Sequence, residues 1–266
     1  SKKSLNLPIE ETPDVPWGNI EKDWLSITEF EPEKVQTQKG EVLDWSDAIQ
    51  KAVDSGKKTI YFPNGIYTVR KTVHVRGNVS RIFGCDSRIN ADFGKSGQPL
   101  WEGDNGGKPV FRIEDGTSDV VVIERFGPAP RVDHVFAEHA TSRTLVLRHL
   151  AGPLQQVYRN VLRDKVGKLF VEDVVKHSYV FDHQKVWMRH WNGEAHGDKI
   201  NIINKGTDVW TLGLKHEGPR TAITTLDGGR TEMLGCLIYA YAGVRGEPTF
   251  VCKDSQQSIS YVDQNP

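Results

Sequence analysis

From about residue 57 onward, apolar residues recur in short runs that alternate with polar positions and are separated by Gly, Asn, Asp and charged residues. This is the period-two pattern of strands, not the 3.6-residue period of helices. Six runs align with one another: 119–126, 143–150, 167–174, 184–191, 207–214 and 230–237. The alignment stacks Val121, Leu145, Leu169, Val186, Val209 and Glu232 in one column, at steps of 24, 24, 17, 23 and 23 residues. Ile123, Leu147, Val171, Met188, Thr211 and Leu234 form a second column, and Phe126, Leu150, Val174, Trp191, Leu214 and Leu237 a third. Glu232 and Thr211 alone break the apolar rule.

A second series precedes the first: Phe111, Phe136, Tyr158, Phe181, Ile202 and Ile223, at steps of 25, 22, 23, 21 and 21 residues. Two strands per period with no helix between them describe a coil that climbs one strand spacing, ~4.8 Å, per turn. The expected fold is therefore all-β, a parallel β-helix. A leucine-rich repeat would carry its Leu and Asn signature, and a propeller blade would need a unit of about 40 residues.

Positions between the core columns point the other way. There Glu124, Arg148, Glu172 and Arg189 alternate in sign on four successive coils, an ion-pair ladder worth ~0.2–1 kcal/mol per pair if exposed. Val122, Val146, Phe170, Trp187, Trp210 and Met233 form an outward apolar stripe. Either Trp187 and Trp210 make a platform for sugar rings, or the N-terminal segment covers them, because a long bare apolar stripe is unusual on a soluble protein.

Residues 1–45 differ from the rest. Pro8, Pro13, Pro16 and Pro32 interrupt any helix, while Trp17, Trp24, Leu25 and Phe30 offer anchors, so a strand-poor extended arm packing on the solenoid (46–266) is expected. A short amphipathic helix follows: Ser46 or Asp47 as N-cap, Ala48, Ile49, Ala52 and Val53 as its apolar stripe, and Gly56 as its stop, covering the open end of the core.

The stretch 44–69 resembles the start of the pectate-lyase superfamily of polysaccharide enzymes and phage tailspikes, with its pectate-lyase and polygalacturonase branches. Asp47, Ala48, Ile49 and Gln50 match that family's helix, and Tyr61, Phe62, Pro63, Gly65 and Tyr67 its first strand motif. The match covers about a tenth of the chain. Where the family has a Gly-Asp-Gly-rich lead-in, this chain has Lys39-Gly40-Glu41-Val42-Leu43-Asp44-Trp45. That departure suggests a later domain of a longer tandem β-helix protein. The resemblance implies a right-handed parallel β-helix and a secreted, extracellular or periplasmic, carbohydrate-active protein. It implies a polysaccharide lyase or glycoside hydrolase, or a non-catalytic glycan-binding or assembly domain, as in a tailspike or beside an upstream catalytic β-helix.

Composition narrows the partners. With 34 basic against 35 acidic residues and a net charge of −1, no global field favours nucleic acid or membrane. No apolar run reaches the roughly 18 residues of a membrane span, and the first residues lack a signal peptide's apolar stretch. Cys85, Cys236 and Cys252 lie too far apart for a zinc pattern, and no Asp cluster suggests calcium, so no metal or cofactor is expected. A polysaccharide or glycan, an upstream β-helix domain or a homo-oligomer are the expected partners.

Sugar cleavage needs a carboxylate pair, or a base beside a uronate. Glu194 and Glu217 fall one 23-residue step apart, with Lys215 and His196 nearby, as candidate catalytic groups or as a plain salt-bridge network. Glu138, Arg159, Asp182 and His183, at the strand ends of the other series, form a second patch. In it Arg159 would neutralise a uronate and His183 act as base, unless the group is simply solvated.

Overall fold

The computed structural model describes residues 3–37, 40–92, 108–127, 135–151, 156–175, 178–194, 202–218, 221–239 and 248–264. The chain is a parallel β-solenoid of about 8 turns. One long sheet stacks Arg81–Ala91, Val120–Phe126, Thr144–Leu150, Leu169–Val175, Val186–Glu194, Asp208–Leu212 with Lys215–Glu217, Arg230–Tyr239 and Gln256–Asp263. A second sheet stacks Val73–Gly77, Phe111–Gly116, Val135–His139, Gln156–Asn160, Ser178–Asp182, Ile202–Lys205, Ile223–Leu226 and Phe250–Cys252. Among the described pairings, only Glu33–Thr37 with Gly40–Asp44 is antiparallel.

Five of the six aligned runs stack in the expected register: Val121, Leu145, Leu169, Val186 and Val209 are successive neighbours, and all are buried. The sixth is offset by one residue. Val209 pairs with Thr231, Thr211 with Met233, and Lys215 with Leu237, so Thr231, Met233 and Cys236 face the core in place of Glu232, Leu234 and Leu237. Leu234 and Leu237 imitate the core spacing, but Glu232 is an outward residue beside Trp210. The step is 22 residues there, and the shift moves the Glu232 carboxylate out of the solenoid interior, where the sequence alignment had placed it, to the outward face.

The second series also needs correction. Phe111, Ala137, Tyr158, Tyr179, Ile202 and Ile223 are the true neighbours, so Ala137 replaces Phe136 and Tyr179 replaces Phe181. All five residues of Val135–His139 are buried, so its apolar pattern carries no phase. Phe136 still packs edge-on against Phe111, with ring centroids 5.4 Å apart.

Between the second and third core columns the step is three residues instead of two. The extra residue is left-handed on each coil: Arg125, His149, Asp173, His190, Gly213 and Gly235 have φ of 60, 51, 49, 51, 72 and 62°. This stacked kink turns Phe126, Leu150, Val174 and Trp191 back into the interior.

The helix Ser46–Asp54 buries Ala48, Ile49, Ala52 and Val53 as expected. Its start is held by Asp44, whose Oδ1 accepts from Ser46 N at 2.9 Å and Ser46 Oγ at 2.5 Å; Ser46 does not cap it. Gln50 accepts from His74 N at 2.8 Å and donates to His74 O at 3.2 Å, satisfying the outer edge of Val73–Gly77.

The segment expected to be one strand-poor arm divides in two. Trp24–Ser26 pairs parallel with Thr59–Tyr61, Glu33–Thr37 pairs antiparallel with Gly40–Asp44, and Asp44 pairs with Thr68 of the first coil, so three segments of this region are strands. Residues 3–17 form no regular secondary structure, and Asn6 is left-handed with φ 50°. They lie along the outward stripe, where Leu7 and Val15 cluster with Val122, Val146, Phe170, Trp187 and Trp210.

Candidate functional site

The outward column runs Arg81, Val122, Val146, Phe170, Trp187, Trp210, Glu232. Phe170 and Trp187 stack with centroids 5.0 Å apart and an interplanar angle of 14°. Trp187 and Trp210 do stand on adjacent coils, but the arm covers them to 3% and 4% exposure, and Trp187 Nε1 donates to Pro8 O at 2.8 Å. With the arm in place these two rings offer no open platform to a sugar. The covering alternative describes them, because apolar residues of the arm gain more by lying on indole than in water.

The ladder beside the stripe is less exposed than its sequence suggested. Glu124 is 1% exposed and is held by Arg81, also fully buried, and by Arg148 Nε at 2.7 Å. Arg81 also meets Asp14 at 2.8 Å, and Trp17 lies over its guanidinium at 3.8 Å.

Parallel pairing sets Glu194 directly beside Glu217, and Asn192 beside Lys215. Lys215 Nζ donates to Glu217 Oε2 at 2.6 Å. His216 points the opposite way and is buried. His196 and the Glu194 side chain lie outside the described residues.

The second patch separates into two groups. Glu138 pairs with Arg159 in register and takes hydrogen bonds from Arg159 Nε at 2.6 Å and from Arg112. At 3% exposure it is the buried centre of a charge ladder, and Arg159 is committed to it. The guanidinium that touches His183 is that of Arg163. A bulge shifts the register between Gln156 and Tyr158, and it is Asn160 that reaches Asp182, donating to its carbonyl at 2.6 Å.

Asp182 and His183 form the other group. His183 Nδ1 is 2.5 Å from Asp182 Oδ1, and Arg163, not singled out by the sequence, places its NH2 group 3.0 Å from both ring nitrogens. His183 is left-handed, with φ 52°, and its ring passes over Gly206, where a Cβ would meet Nε2 at 2.7 Å. The ring lines an open cleft of about 370 Å³ with Asp164, Lys168, Gln184, Lys185, Thr207 and Asp208. Asp208 is held by Arg230 through two bonds of 2.7 and 2.6 Å, and Lys168 by Glu10 of the arm at 2.6 Å. An imidazole fixed through Nδ1 by a carboxylate presents Nε2 as its basic atom.

Beneath this cleft lies an interior polar network. Gln184, 2% exposed, accepts from Tyr158 OH at 2.6 Å and donates to Gly167 O at 2.6 Å. His139, fully buried, bonds Arg143 O through Nε2 at 2.7 Å. Burial pulls the His139 pKa down to about 4, against the Arg143 carbonyl, which raises it.

Among the described residues, no group of three or more His, Cys, Asp or Glu converges on a metal position. No family model, no curated protein and no solved structure matches this chain, so what stands of the expected resemblance is the parallel β-solenoid itself.

Proposed function

We propose that this chain is a carbohydrate-active β-solenoid of pectate-lyase type, acting on a polysaccharide in the cleft at His183. The observation that supports the reading is the 2.5 Å contact between Asp182 Oδ1 and His183 Nδ1 on the wall of a polar cleft. In a lyase reaction His183 Nε2 would take the proton next to a uronate carboxyl. Arg163, whose side chain is 62% exposed, would turn from the imidazole to that carboxylate. The C4–O bond then breaks, leaving an unsaturated uronate and a new reducing end. The substrate class itself comes from fold-level analogy. A secreted location and a place within a longer tandem protein follow from the same analogy.

Hydrolysis at the Glu194 and Glu217 step is the other chemistry within this reading. Adjacent strands lie ~4.8 Å apart, close to the ~5–5.5 Å carboxylate separation of retaining glycosidases.

A screen of the purified chain against uronic-acid and neutral polysaccharides, reading unsaturated products and reducing ends, tests both. His183→Ala is expected to abolish lyase turnover and Glu217→Gln hydrolase turnover, each with an unchanged circular dichroism spectrum. No turnover of any polymer would defeat the catalytic reading. The second reading, a non-catalytic glycan-binding or assembly solenoid, draws its support from the arm over Trp187 and Trp210.

A further inference from the structure

The arm is bound as an extended peptide ligand is bound. From Asn6, between the two amides that Glu232 holds, to Val15, whose carbonyl Arg81 holds, is nine residues. At ~3.1 Å per residue a polyproline-type chain covers about 28 Å. The six strand spacings from Glu232 back to Arg81 cover about 29 Å at ~4.8 Å each. The segment is therefore pulled almost straight across the strands, a conformation that Pro8, Pro13 and Pro16 favour in advance.

The contacts are direction-specific. At one end Glu232 accepts from Leu5 N and Leu7 N, each at 3.0 Å, and from Ser4 Oγ. At the other, Arg81 donates to Val15 O at 2.6 Å and to Asp14. Between them Arg189 donates to Glu10 O at 2.5 Å and Trp187 to Pro8 O. An aromatic NH on a carbonyl of a proline-containing strand is the device of polyproline-binding grooves.

A cavity of about 30 Å³ remains between Pro8 and the two indoles. Behind the arm, the chain turns at Gly18, with φ +70°, where a Cβ would strike Asp23 at 2.6 Å. A short, constrained hinge joining a self-contained segment to its groove is the arrangement that permits exchange between copies.

We propose that the stripe from Arg81 to Glu232 is a peptide-binding groove that takes the arm, residues 3–17, of a second copy of this chain in trans. The inference is independent of any activity at His183. In cis the arm's effective concentration is in the millimolar range, so the arm of a second copy displaces it only as the chain's own concentration approaches that range.

A full-length Leu7→Asp, Val15→Asp chain, whose own arm no longer docks, tests the groove. A fluorescent synthetic peptide of residues 3–17 is expected to bind it saturably, with the native chain binding at least about tenfold more weakly because its arm competes. Trp187→Ala in the same background is expected to weaken binding by about tenfold. A second full-length chain with Gly18 deleted no longer reaches its own groove and is expected to sediment as a dimer. Absence of peptide binding by the first chain, with its circular dichroism intact, would overturn the proposal. Should that chain not fold, a monomeric Gly18-deleted chain would overturn it equally.

Discussion

Arg81 and Glu232 stand at opposite ends of one outward column, six coils apart, and grip the two ends of the same peptide segment. A buried cation holds its last carbonyl and a buried carboxylate its first amides. The order of charge matches the polarity of the chain, and this fixes the direction in which the arm lies.

Glu232→Gln keeps the shape but removes the charge-assisted bonds, and should cost about 1–3 kcal/mol. Burial opposes ionisation of this carboxyl, but the bonds from Ser4, Leu7, Leu5 and Asn6 outweigh it and hold the pKa below the ordinary 4.5. The contribution is therefore present above pH 4.5 and is lost as the pH falls through the lowered value. Limited proteolysis should cut the arm of the variant faster at pH 7, and equal cutting rates would argue against this role.

His139 makes stability depend on pH in a different window. Above 6.5 neither state binds the proton; between 6.5 and about 4 only the unfolded chain does, so stability falls as the pH drops across that range. The total is about 3 kcal/mol, of which about 2 is lost by pH 5. Unfolding free energies from denaturant titrations at pH 7 and pH 5 should differ by that much more in the native chain than in His139→Gln; identical differences would exclude the buried neutral imidazole.

Gly206 and Gly228 allow a matched comparison. Both are left-handed, with φ of 62 and 77°, so alanine should cost about 1–2 kcal/mol at either. Only at Gly206 would the new Cβ meet His183, whereas Gly228 has nothing within 4 Å. Gly206→Ala is expected to displace the imidazole as well, read as changed NMR chemical shifts of the His183 ring protons, while Gly228→Ala leaves them unmoved.

Trp191 and Trp17 should separate core from strap. Trp191 is fully buried and packs edge-on to Tyr179 with centroids 6.2 Å apart, so Trp191→Ala should cost about 3–5 kcal/mol. Trp17 is 42% exposed over Arg81, and its loss should cost about 0.5–2 kcal/mol. Urea unfolding of the two variants measures the difference, and a reversed order would contradict the assigned core.

The amino-acid sequence alone determined the coil. Val121, Leu145, Leu169, Val186 and Val209 announce their stacking because a solenoid core is built from like residues meeting one period later, a pattern local enough to read along the chain. It also determined the ladder through Glu124, Arg148, Glu172 and Arg189, and the step that sets Glu194 beside Glu217. Only the tertiary structure decided the phase of strands buried on both faces, such as Val135–His139, and of the run at 230–237, where two alternations compete. It alone placed Arg159 on Glu138 and Arg163 at His183, because Arg163 reaches the imidazole from a 3-10 turn outside the strands, where no repeat period applies. It also decided that Trp187 and Trp210 lie under the arm. Which of several apolar segments covers an apolar stripe depends on where the chain returns in space, and no period in the sequence records that.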